Sequence, residues 1–453
     1  MTDGARPAPA RSASLEVVTR TLAGEFLAPT LRSVLDASDL EGVERSQVTD
    51  LVYGTVRRLQ QIDAHLAPLL KQPGKLPPRV LAALRLGVLD LLYRHTPPHA
   101  AVSEWVEVVK AEAPGLAGLT NAVLRGLERR AAKSSGQAPT ATPSPLDPVA
   151  DLSLPTWLWQ ELRGALGAGP ALDAAEGMLE PEPLWLTAFA PEANASLVAD
   201  GCEVAELSGE RDYPASLRVR SPVPLDRLAA YRNGLVQPQN PTSLLAAKVM
   251  GARAGQVVFD LASGSGVKSA VLASTGASVT AVELVKRRTR AAIANLARLR
   301  LEVTHLTADL VGMSATELLA KAAAANGWAE PRLADAVLLD APCSGTGTLR
   351  GHPEIKLRLQ PADLKQLAAA QAAMLVTAAG MVAPGGTLLY AVCALTRAEG
   401  PGVVDAFLAR HAEYQPVPLA VDFPTVTAGG AGIFVLPVSG YDGFYLAKLR
   451  RAE

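Results

Sequence analysis

Cysteine is scarce in this chain, with three residues among 453. They stand at Cys202, Cys343 and Cys393, which is too few for a disulfide framework and too widely spaced for the ligands of a structural metal site. We therefore predict no metal and no disulfide scaffold. Free cysteines persist in a reducing compartment, so the expected location is the cytoplasm.

A surplus of charge of one sign is also lacking. The chain has 43 Lys and Arg against 44 Asp and Glu, and its formal net charge is -1. This balance excludes a protein that is basic throughout, so any nucleic-acid surface must be local. The alternative for each basic stretch is a solvated helix face. The stretches are Arg57 with Arg58, Lys71 to Arg79, Arg125 to Arg130, Lys286 to Arg290, and Arg350 to Arg358.

Long apolar runs are absent as well. The first residues, MTDGARPAPARSAS, lack the apolar core of a signal peptide, and the longest apolar runs are shorter than a membrane span. We therefore expect no membrane partner. Hydrophobic residues nonetheless make up 49% of the chain, which indicates a folded globular protein. Its length predicts two or three domains.

The N-terminal part of the chain has the periodicity of helices. Apolar residues recur every three or four positions from Leu15 to about Arg130. We predict an all-α bundle over residues 15–132, preceded by a flexible tail over residues 1–14. The segment 133–150 is rich in Ser, Pro and Thr and is predicted to be a linker.

Strand patterns begin after this linker. An amphipathic helix and short strand candidates predict a small α+β subdomain over residues 151–235. Over residues 236–453, apolar strands alternate with Ala- and Leu-rich helices. This alternation is typical of a doubly wound, Rossmann-like α/β sheet with parallel strands.

A glycine-containing loop follows the first of these strands, in VVFDLASGSGVKSAVLA. We expect the strand to end at Asp260 and a helix to begin near Val267, which leaves backbone N–H groups free to face a nucleotide-like ligand. The alternatives are a plain tight turn and a P-loop, although a P-loop needs Gly where Val267 stands. The loop residues predicted to bind a cofactor are Ala262, Ser263, Gly264, Ser265, Gly266, Val267 and Lys268.

Carboxylates end the next two strands. Glu283 lies 17 residues beyond Gly266, where a carboxylate accepts both hydroxyl protons of a ribose. Asp309 ends the third strand and is a candidate acceptor for an adenine amino group, with a helix cap as the alternative. Because no basic clamp for a pyrophosphate is evident, the pattern favours S-adenosylmethionine over a dinucleotide.

Two of the three cysteines end the following strands. The fourth strand ends in LLDAPCSGTG, with Asp340 and Cys343, and the fifth ends in TLLYAVCAL, with Cys393. Open α/β sheets bind ligands at the carboxyl ends of their strands. We therefore predict that both thiols and Asp340 share one site, where Asp340 is also a candidate contact for the cofactor. The alternative is that each cysteine is a small buried hydrophobe.

Longer segments resemble a known family. Over nearly its whole length the chain resembles the bacterial ribosomal RNA (cytosine-5)-methyltransferases of the Sun/Fmu (RsmB/NOP) type. The segments LVYGTVRRLQQIDAHLAPLL, HAAVSEWVEVVK and NAVLRGLERR resemble the NusB-like RNA-binding domain of those enzymes. The segments that resemble their catalytic half are DAPCSGTGTLRGHPE, LKQLAAAQAAML and YAVCALTRAE.

The resemblance implies a partner, a cofactor and residue roles. The partner is RNA, by family analogy small-subunit ribosomal RNA, the cofactor is S-adenosylmethionine, and the product is 5-methylcytosine. It implies that Cys393 is the nucleophile and that Cys343 assists product release. A thiolate added to carbon 6 makes carbon 5 of cytosine nucleophilic. Asp340 is expected to hydrogen-bond the base, and Lys268 to contact it or to lower a thiolate pKa. Carbon 6 lies inside the stack of an RNA duplex, so the target must be unpaired or flipped out.

The chain departs from the family pattern at several positions. ASGSGVKS stands where a Pro-Gly-Gly-Lys-Thr loop is usual, and Glu283 stands where Asp is more common. Val392 precedes Cys393 in place of Thr, and only Glu399 remains of a Glu-Asn-Glu ending. Two other interpretations stay open: an amino-group RNA methyltransferase, which uses Asp-Pro-Pro-Tyr instead of DAPC, and a non-catalytic RNA-binding protein of the antitermination type. We expect a monomer.

Overall fold

The structure, a computed structural model, describes residues 8–94, 96–134, 148–207, 213–427 and 430–453. The chain divides into two compact units, which we call the helical unit and the sheet unit. The helical unit comprises Met1–Trp159, Met178–Pro181 and Leu349–Leu359. The sheet unit comprises Gln160–Gly177, Glu182–Thr348 and Gln360–Glu453.

The helices and strands are numbered in chain order. The helices are α1 (Pro9–Leu22), α2 (Leu27–Asp36), α3 (Gly42–Arg57), α4 (Leu59–Leu66), α5 (Pro78–Leu92), α6 (Pro98–Glu112), α7 (Ala117–Ser134), α8 (Pro148–Asp151), α9 (Thr156–Leu166), α10 (Ala168–Gly177), α11 (Glu192–Ala199), α12 (Ala229–Arg232), α13 (Pro241–Lys248), α14 (Val267–Ala273), α15 (Lys286–Leu299), α16 (Ala315–Asn326), α17 (Ile355–Arg358), α18 (Pro361–Ala379) and α19 (Pro401–Leu408). The strands are β1 (Leu184–Ala188), β2 (Glu203–Glu206), β3 (Ala215–Arg220), β4 (Val236–Pro238), β5 (Val257–Leu261), β6 (Ser278–Glu283), β7 (Thr304–Thr307), β8 (Ala334–Asp340), β9 (Val382–Val392), β10 (Tyr414–Val417), β11 (Thr425–Thr427), β12 (Ile433–Val435) and β13 (Phe444–Arg451).

The helical unit is built around α5. Its apolar residues recur at helical spacing, and Val80, Leu84 and Val88 are buried together with Trp105 of α6. At Gly87 an added Cβ would lie 3.0 Å from Leu124 of α7, so glycine lets the two helices approach closely. The predicted all-α bundle is confirmed.

Helix α1 begins earlier than the sequence predicts. A proline at the first helical position suits a helix start, and residues 9–14, expected to be flexible, form the first turns of α1. Ala10 and Ser14 are buried. Residues 1–7 of the predicted tail and residues 135–147 of the predicted linker lie outside the described residues.

The segment Leu349–Leu359 belongs to the helical unit, although it follows β8 in the chain. Arg57 donates two hydrogen bonds to the carbonyl of Arg350, and the Lys356 side-chain nitrogen donates to the carbonyls of Arg57 and Ser153. Arg350 is 1% exposed and Lys356 4%. Both expectations for this basic stretch, an RNA surface or a solvated face, are therefore wrong at these two residues, because both side chains are buried.

The sheet unit contains two sheets. The smaller one is antiparallel, in the order β2-β3-β1-β4, and α11 contributes Ala193 and Leu197 to its core. Its fourth strand, β4, lies beyond residue 235, where the α+β subdomain was predicted to end. The α+β character itself is confirmed.

The larger sheet has the order β11-β12-β13-β9-β8-β5-β6-β7, and β10 pairs with β13. Strands β5 to β9 form a parallel block, in which β5 lies between β6 and β8, while β13 runs antiparallel to β9. From β5 the chain adds β6 and then β7 on one side, and it returns to the other side of β5 to add β8 and then β9. This is the predicted doubly wound, Rossmann-like topology, and sheets of this kind bind ligands at the carboxyl ends of the strands where the order reverses, here between β5 and β8.

Candidate active site

The two cysteines predicted to share a site lie side by side. Strands β8 and β9 are parallel neighbours in which Asp340 pairs with Ala391, so Cys343 and Cys393 both follow at the same edge. Their sulfur atoms lie 3.2 Å apart. The chain beyond the strands stays paired, since the Gly347 amide donates to the Cys393 carbonyl at 3.0 Å. The sheet register therefore fixes the sulfur–sulfur contact.

The contact with Cys393 affects the titration of Cys343. The hydrogen bond to Cys393 and burial both raise the pKa of Cys343 well above its usual range, and the charges at Cys393 and Glu399 add to the effect. Cys343 therefore keeps its proton and donates it towards the Cys393 sulfur. The contact geometry permits either sulfur atom to donate, and the raised pKa of Cys343 favours Cys343 as the donor.

A buried ion pair lies beside the thiols. The Lys268 ammonium donates to Asp340 Oδ2 at 2.8 Å, and the Lys268 side chain is 7% exposed against 28% for Asp340. Burial works against the charge of the ammonium, but the carboxylates of Asp340 and Asp260 and the Cys393 sulfur outweigh it and raise the pKa of Lys268. Lys268 thus stays charged, and a negative charge on the Cys393 sulfur is stabilised by it.

Asp260, the fourth residue of β5, was not among the predicted site residues. It is fully buried, and Ser269 donates to its Oδ2 at 2.5 Å, whereas its Oδ1 has no hydrogen-bond partner among the described residues. Burial raises the pKa of Asp260 to about 7. Its position just before the glycine-containing loop was the available signal, since an acidic residue within an otherwise apolar strand is uncommon.

The predicted cofactor loop adopts left-handed backbone conformations. Ala262, Gly264 and Gly266 have φ of 56°, 59° and 76°. An added Cβ at Gly264 would meet nothing within 4 Å, whereas at Gly266 it would lie 3.0 Å from Ala292 of α15. Gly266 thus permits close packing of α15, and Gly264 faces open space that a ligand can enter.

Backbone groups of this loop and of the start of α14 form further hydrogen bonds. The Ser263 amide donates to the carbonyl of Val282 at the end of β6, and the Gly266 amide donates to Ser263. Ser265 is exposed, and α14 begins at Val267, whose carbonyl accepts from Gln237 of the small sheet. The predicted strand, loop and helix are thus confirmed as local structure.

Glu283 lies against this loop. It is 5% exposed, its Oε2 accepts from the Gly264 amide at 2.9 Å, and its Oε1 accepts from the Val285 amide at 2.8 Å. Each carboxylate oxygen has a second lone pair for a hydroxyl group. Asp309 is exposed, and its Oδ1 accepts from the Val311 amide, so it caps the turn after β7.

These groups fit an adenosine-containing cofactor. The loop offers open space at Gly264, a helix N-terminus at Val267 and the Glu283 carboxylate, and the unpartnered Asp260 oxygen lies at its start. Lys268 and Asp340 join this region to the thiols. Among the described residues no cluster of His, Cys, Asp and Glu is arranged to hold a metal ion. Nor is any helix in the described ranges long and apolar enough to cross a membrane.

The comparisons with known proteins cover both parts of the chain. The family model described as 16S rRNA methyltransferase RsmB/F matches residues 247–450, and that of the NusB family matches residues 8–129. Ribosomal RNA small subunit methyltransferase B of Thermus thermophilus is 44% identical over 410 residues, which is 90% of this chain and 89% of that protein. The probable ribosomal RNA small subunit methyltransferase B of Bacillus subtilis is 30% identical over 93% of this chain and 94% of that protein.

A solved structure agrees in fold. The methyltransferase homolog protein from Pyrococcus horikoshii has a TM-score of 0.55 and 21% identity, over 68% of this chain and 100% of that chain. The sequence matches confirm the predicted resemblance in both the helical and the catalytic part. The chain therefore belongs to the RsmB/F family of S-adenosylmethionine-dependent RNA methyltransferases.

Proposed function

We propose that this protein methylates carbon 5 of a cytosine in ribosomal RNA, through a covalent bond between Cys393 and carbon 6 of the base. The observation that carries the proposal is the contact of 3.2 Å between the Cys343 and Cys393 sulfur atoms, beside the Lys268–Asp340 pair. An amino-group methyltransferase has no need of two thiols at that place. A non-catalytic RNA-binding protein would need neither the thiols nor the buried ion pair.

Cys393 is the nucleophile in this mechanism. Cys343 keeps its own proton and offers it to the Cys393 sulfur, while the Lys268 ammonium stabilises negative charge there. When the thiolate adds to cytosine, a bond forms between sulfur and carbon 6, and the double bond between carbons 5 and 6 breaks. The displaced electron pair makes carbon 5 nucleophilic.

Asp340 and Lys268 orient the cytosine. The Asp340 side chain is partly exposed and its Oδ2 is held by Lys268, and we assign its Oδ1 to a group of the substrate. A carboxylate in this position accepts a hydrogen bond from the amino group or from a protonated ring nitrogen, and thereby balances the charge that forms during addition.

The cofactor is held on the other side of the ion pair. The loop from Ala262 to Val267 and the Glu283 carboxylate bind the adenosine part, and Asp309 is the candidate acceptor for the adenine amino group. When bound, S-adenosylmethionine supplies an electrophilic methyl group to carbon 5.

Cys343 assists product release. In the covalent adduct the Cys393 sulfur is part of a thioether, which is a weaker hydrogen-bond acceptor than a thiolate. The hydrogen bond to Cys393 is the main cause of the raised pKa of Cys343, so this cause is weakened in the adduct. Cys343 then ionises to solvent and takes the proton from carbon 5. The double bond between carbons 5 and 6 forms again, and the carbon–sulfur bond breaks with its electron pair returning to Cys393.

The substrate class follows from the relatives. The Thermus and Bacillus proteins carry the name of small-subunit ribosomal RNA methyltransferase, and we propose small-subunit ribosomal RNA as the substrate of this chain. The attacked base must be unpaired or flipped, because carbon 6 is inaccessible in a stacked duplex. A monomeric state stays a prediction.

A trapping experiment tests this mechanism. The protein is incubated with S-adenosylmethionine carrying a labelled methyl group and with a small-subunit ribosomal RNA transcript. In Cys343→Ala, the label is expected to stay with the protein on a denaturing gel, as a covalent adduct of methylated RNA. Cys393→Ala is expected to form no adduct and no product. Full methylation by both variants would contradict the proposal.

A further inference from the structure

Glu399 is a buried carboxylate behind the two cysteines. Its side chain is 0% exposed, and none of the ion pairs found within the described ranges includes it. Its oxygens accept instead from uncharged donors: the Ser344 amide at 2.7 Å, the Ser344 hydroxyl at 2.6 Å, Thr396 at 3.0 Å and Gln371 at 3.1 Å. A carboxylate without a cation is costly to bury, so an apolar side chain would suit a purely structural role better.

Two of the donors to Glu399 also hold the chain on either side of Cys343. Ser344, the residue after Cys343, uses both its amide and its hydroxyl. Gln371 of α18 uses its side-chain amide for two bonds, one to Glu399 Oε1 and one at 2.9 Å to the carbonyl of Pro342, the residue before Cys343. Both chain neighbours of Cys343 are thus held by one carboxylate, directly or through Gln371.

The same carboxylate is tied to the loop that carries Cys393. Glu399 lies in the segment after β9, where Thr396 donates to Oε2 and Tyr390 donates to the Glu399 carbonyl at 2.7 Å. A second hydrogen bond joins the loop that carries Cys343 to the loop that carries Cys393, since the Leu395 amide donates to the Thr346 hydroxyl at 2.9 Å. The relative position of the two sulfur atoms therefore depends on contacts that converge at Glu399.

We propose that Glu399 is a positioning residue that holds Cys343 over Cys393 for the release step of methylation. The inference rests on the proposed function, because it assigns Glu399 to the part of the cycle in which Cys343 acts. Glu399 touches neither base nor cofactor in this assignment. The negative charge of Glu399 also contributes to the raised pKa of Cys343, which agrees with a thiol that is kept protonated until the adduct has formed.

Three variants separate this role from a general loss of structure. Glu399→Ala removes every bond to the carboxylate. Glu399→Gln keeps one side-chain oxygen, which still accepts from the Ser344 and Gln371 amides. Its new NH₂ group lies beside the Ser344 and Thr396 hydroxyls, and these hydroxyl oxygens are able to accept from it. Ser344→Ala removes one bond and leaves the carboxylate in place. Tyr414→Phe is the matched control, since it also removes a buried hydrogen bond from a tyrosine hydroxyl to a backbone carbonyl, that of Ala379, and leaves the contacts of Glu399 in place.

The experiment measures two rates with the ribosomal RNA transcript and labelled cofactor in the full chain. Transfer of the methyl group is followed in a single turnover, and release is followed as the decay of the covalent adduct on a denaturing gel. Glu399→Ala is expected to slow release by about tenfold or more, the factor that corresponds to a lost hydrogen bond to a charged group, with a smaller effect on transfer. Ser344→Ala and Glu399→Gln are expected to accumulate less adduct than Glu399→Ala does. Tyr414→Phe is expected to accumulate no more adduct than the parent protein.

Cys343→Ala is included so that the experiment tests the covalent mechanism and the positioning role of Glu399 separately. If Cys343→Ala accumulates no adduct, the proposed function is wrong. If Cys343→Ala does accumulate adduct, the Glu399→Ala variant decides on the positioning role. That role is wrong if Glu399→Ala binds cofactor normally and slows transfer as much as release. It is also wrong if Glu399→Ala slows neither transfer nor release. Where Glu399→Ala fails to fold, Ser344→Ala decides by the same two rates, since it keeps the buried carboxylate.

Discussion

Lys268 and Asp340 join the two halves of the candidate active site. The Lys268 ammonium, on the helix after the cofactor loop, lies 2.8 Å from Asp340 Oδ2 at the end of β8, the strand that leads to Cys343. The pair therefore couples the position of the cofactor loop to that of the thiols. Such a pair is costly to break, because removal of one partner leaves a buried charge without compensation.

The first prediction concerns Asp340. Asp340→Asn is expected to lower the rate of methylation by about a hundredfold or more, the contribution typical of a positioned acid or base. Single-turnover methylation at saturating cofactor is the measurement. The matched control is Asp335→Asn at the other end of β8, where an exposed carboxylate accepts from the Val257 amide. Equal rates for the two variants would remove Asp340 from the mechanism.

The second prediction concerns the cofactor. Glu283→Ala removes the proposed acceptor for the ribose and the support of the Gly264 amide. We expect the Kd for S-adenosylmethionine to rise by about tenfold or more, since bonds to charged groups are the strong ones. Calorimetry measures this directly, with the exposed Glu302→Ala as the control. An unchanged Kd would mean that the ribose lies elsewhere.

The third prediction concerns the RNA surface. Lys286, Arg287, Arg288 and Arg290 are exposed at the start of α15, just after Glu283, and the first turn of that helix holds no acidic residue. Replacing all four with Gln is expected to weaken RNA binding and to lower the slope of log affinity against log salt by up to about 3. The control replaces the exposed Lys321 and Lys365 in the same way. Loss of affinity without a change in slope would argue against phosphate contacts.

The fourth prediction concerns pH and Lys356. Burial lowers the pKa of Lys356 to about 7, with Arg57 and Arg58 adding to the effect. In the unfolded chain the ammonium titrates near its ordinary value of 10.5. Between pH 7 and pH 10.5 the Lys356 side chain is uncharged in the folded protein and charged in the unfolded chain, so unfolding takes up a proton. A rise in pH over this range therefore stabilises the fold, and this stabilisation is lost as the pH falls towards 7.

The measurement is urea unfolding of the full chain at pH 7 to 9.5. The free energy of unfolding should rise by up to about 1.4 kcal/mol per pH unit more in the parent protein than in Lys356→Met. Lys75→Met, at an exposed site, should keep the parent slope. Identical slopes in the parent and Lys356→Met would show that Lys356 is charged in the folded state.

The sequence predicts the large sheet and the meeting of the thiols well. Alternating strands and helices imply parallel order, and parallel order brings Cys343 and Cys393 to one edge. The burial of Arg350 and Lys356 could not be predicted, because a basic run after a motif carries no sign of which unit it packs into. The same holds for Glu399, whose donors Ser344 and Gln371 are distant in sequence.

Local signals also have limits at element boundaries and in loops. Pro9 at the start of α1 suits a helix start, but the apolar periodicity becomes evident only from Leu15 onward. Glu283 was predicted to face a ribose, and its bonds to the Gly264 and Val285 amides depend on the three-dimensional path of the loop. Side-chain to backbone bonds of this kind leave no periodic pattern in a sequence.

Mass spectrometry identifies the residue that bonds to the base, which we propose is Cys393. The sample is Cys343→Ala that has reacted with RNA and cofactor and then been digested with nuclease and protease. We expect a methylated cytidine nucleotide attached to the peptide that contains Cys393, and none on the peptide with Cys202. A nucleotide on any other residue, or methylated RNA formed with no cysteine adduct, would show that Cys393 is not the nucleophile.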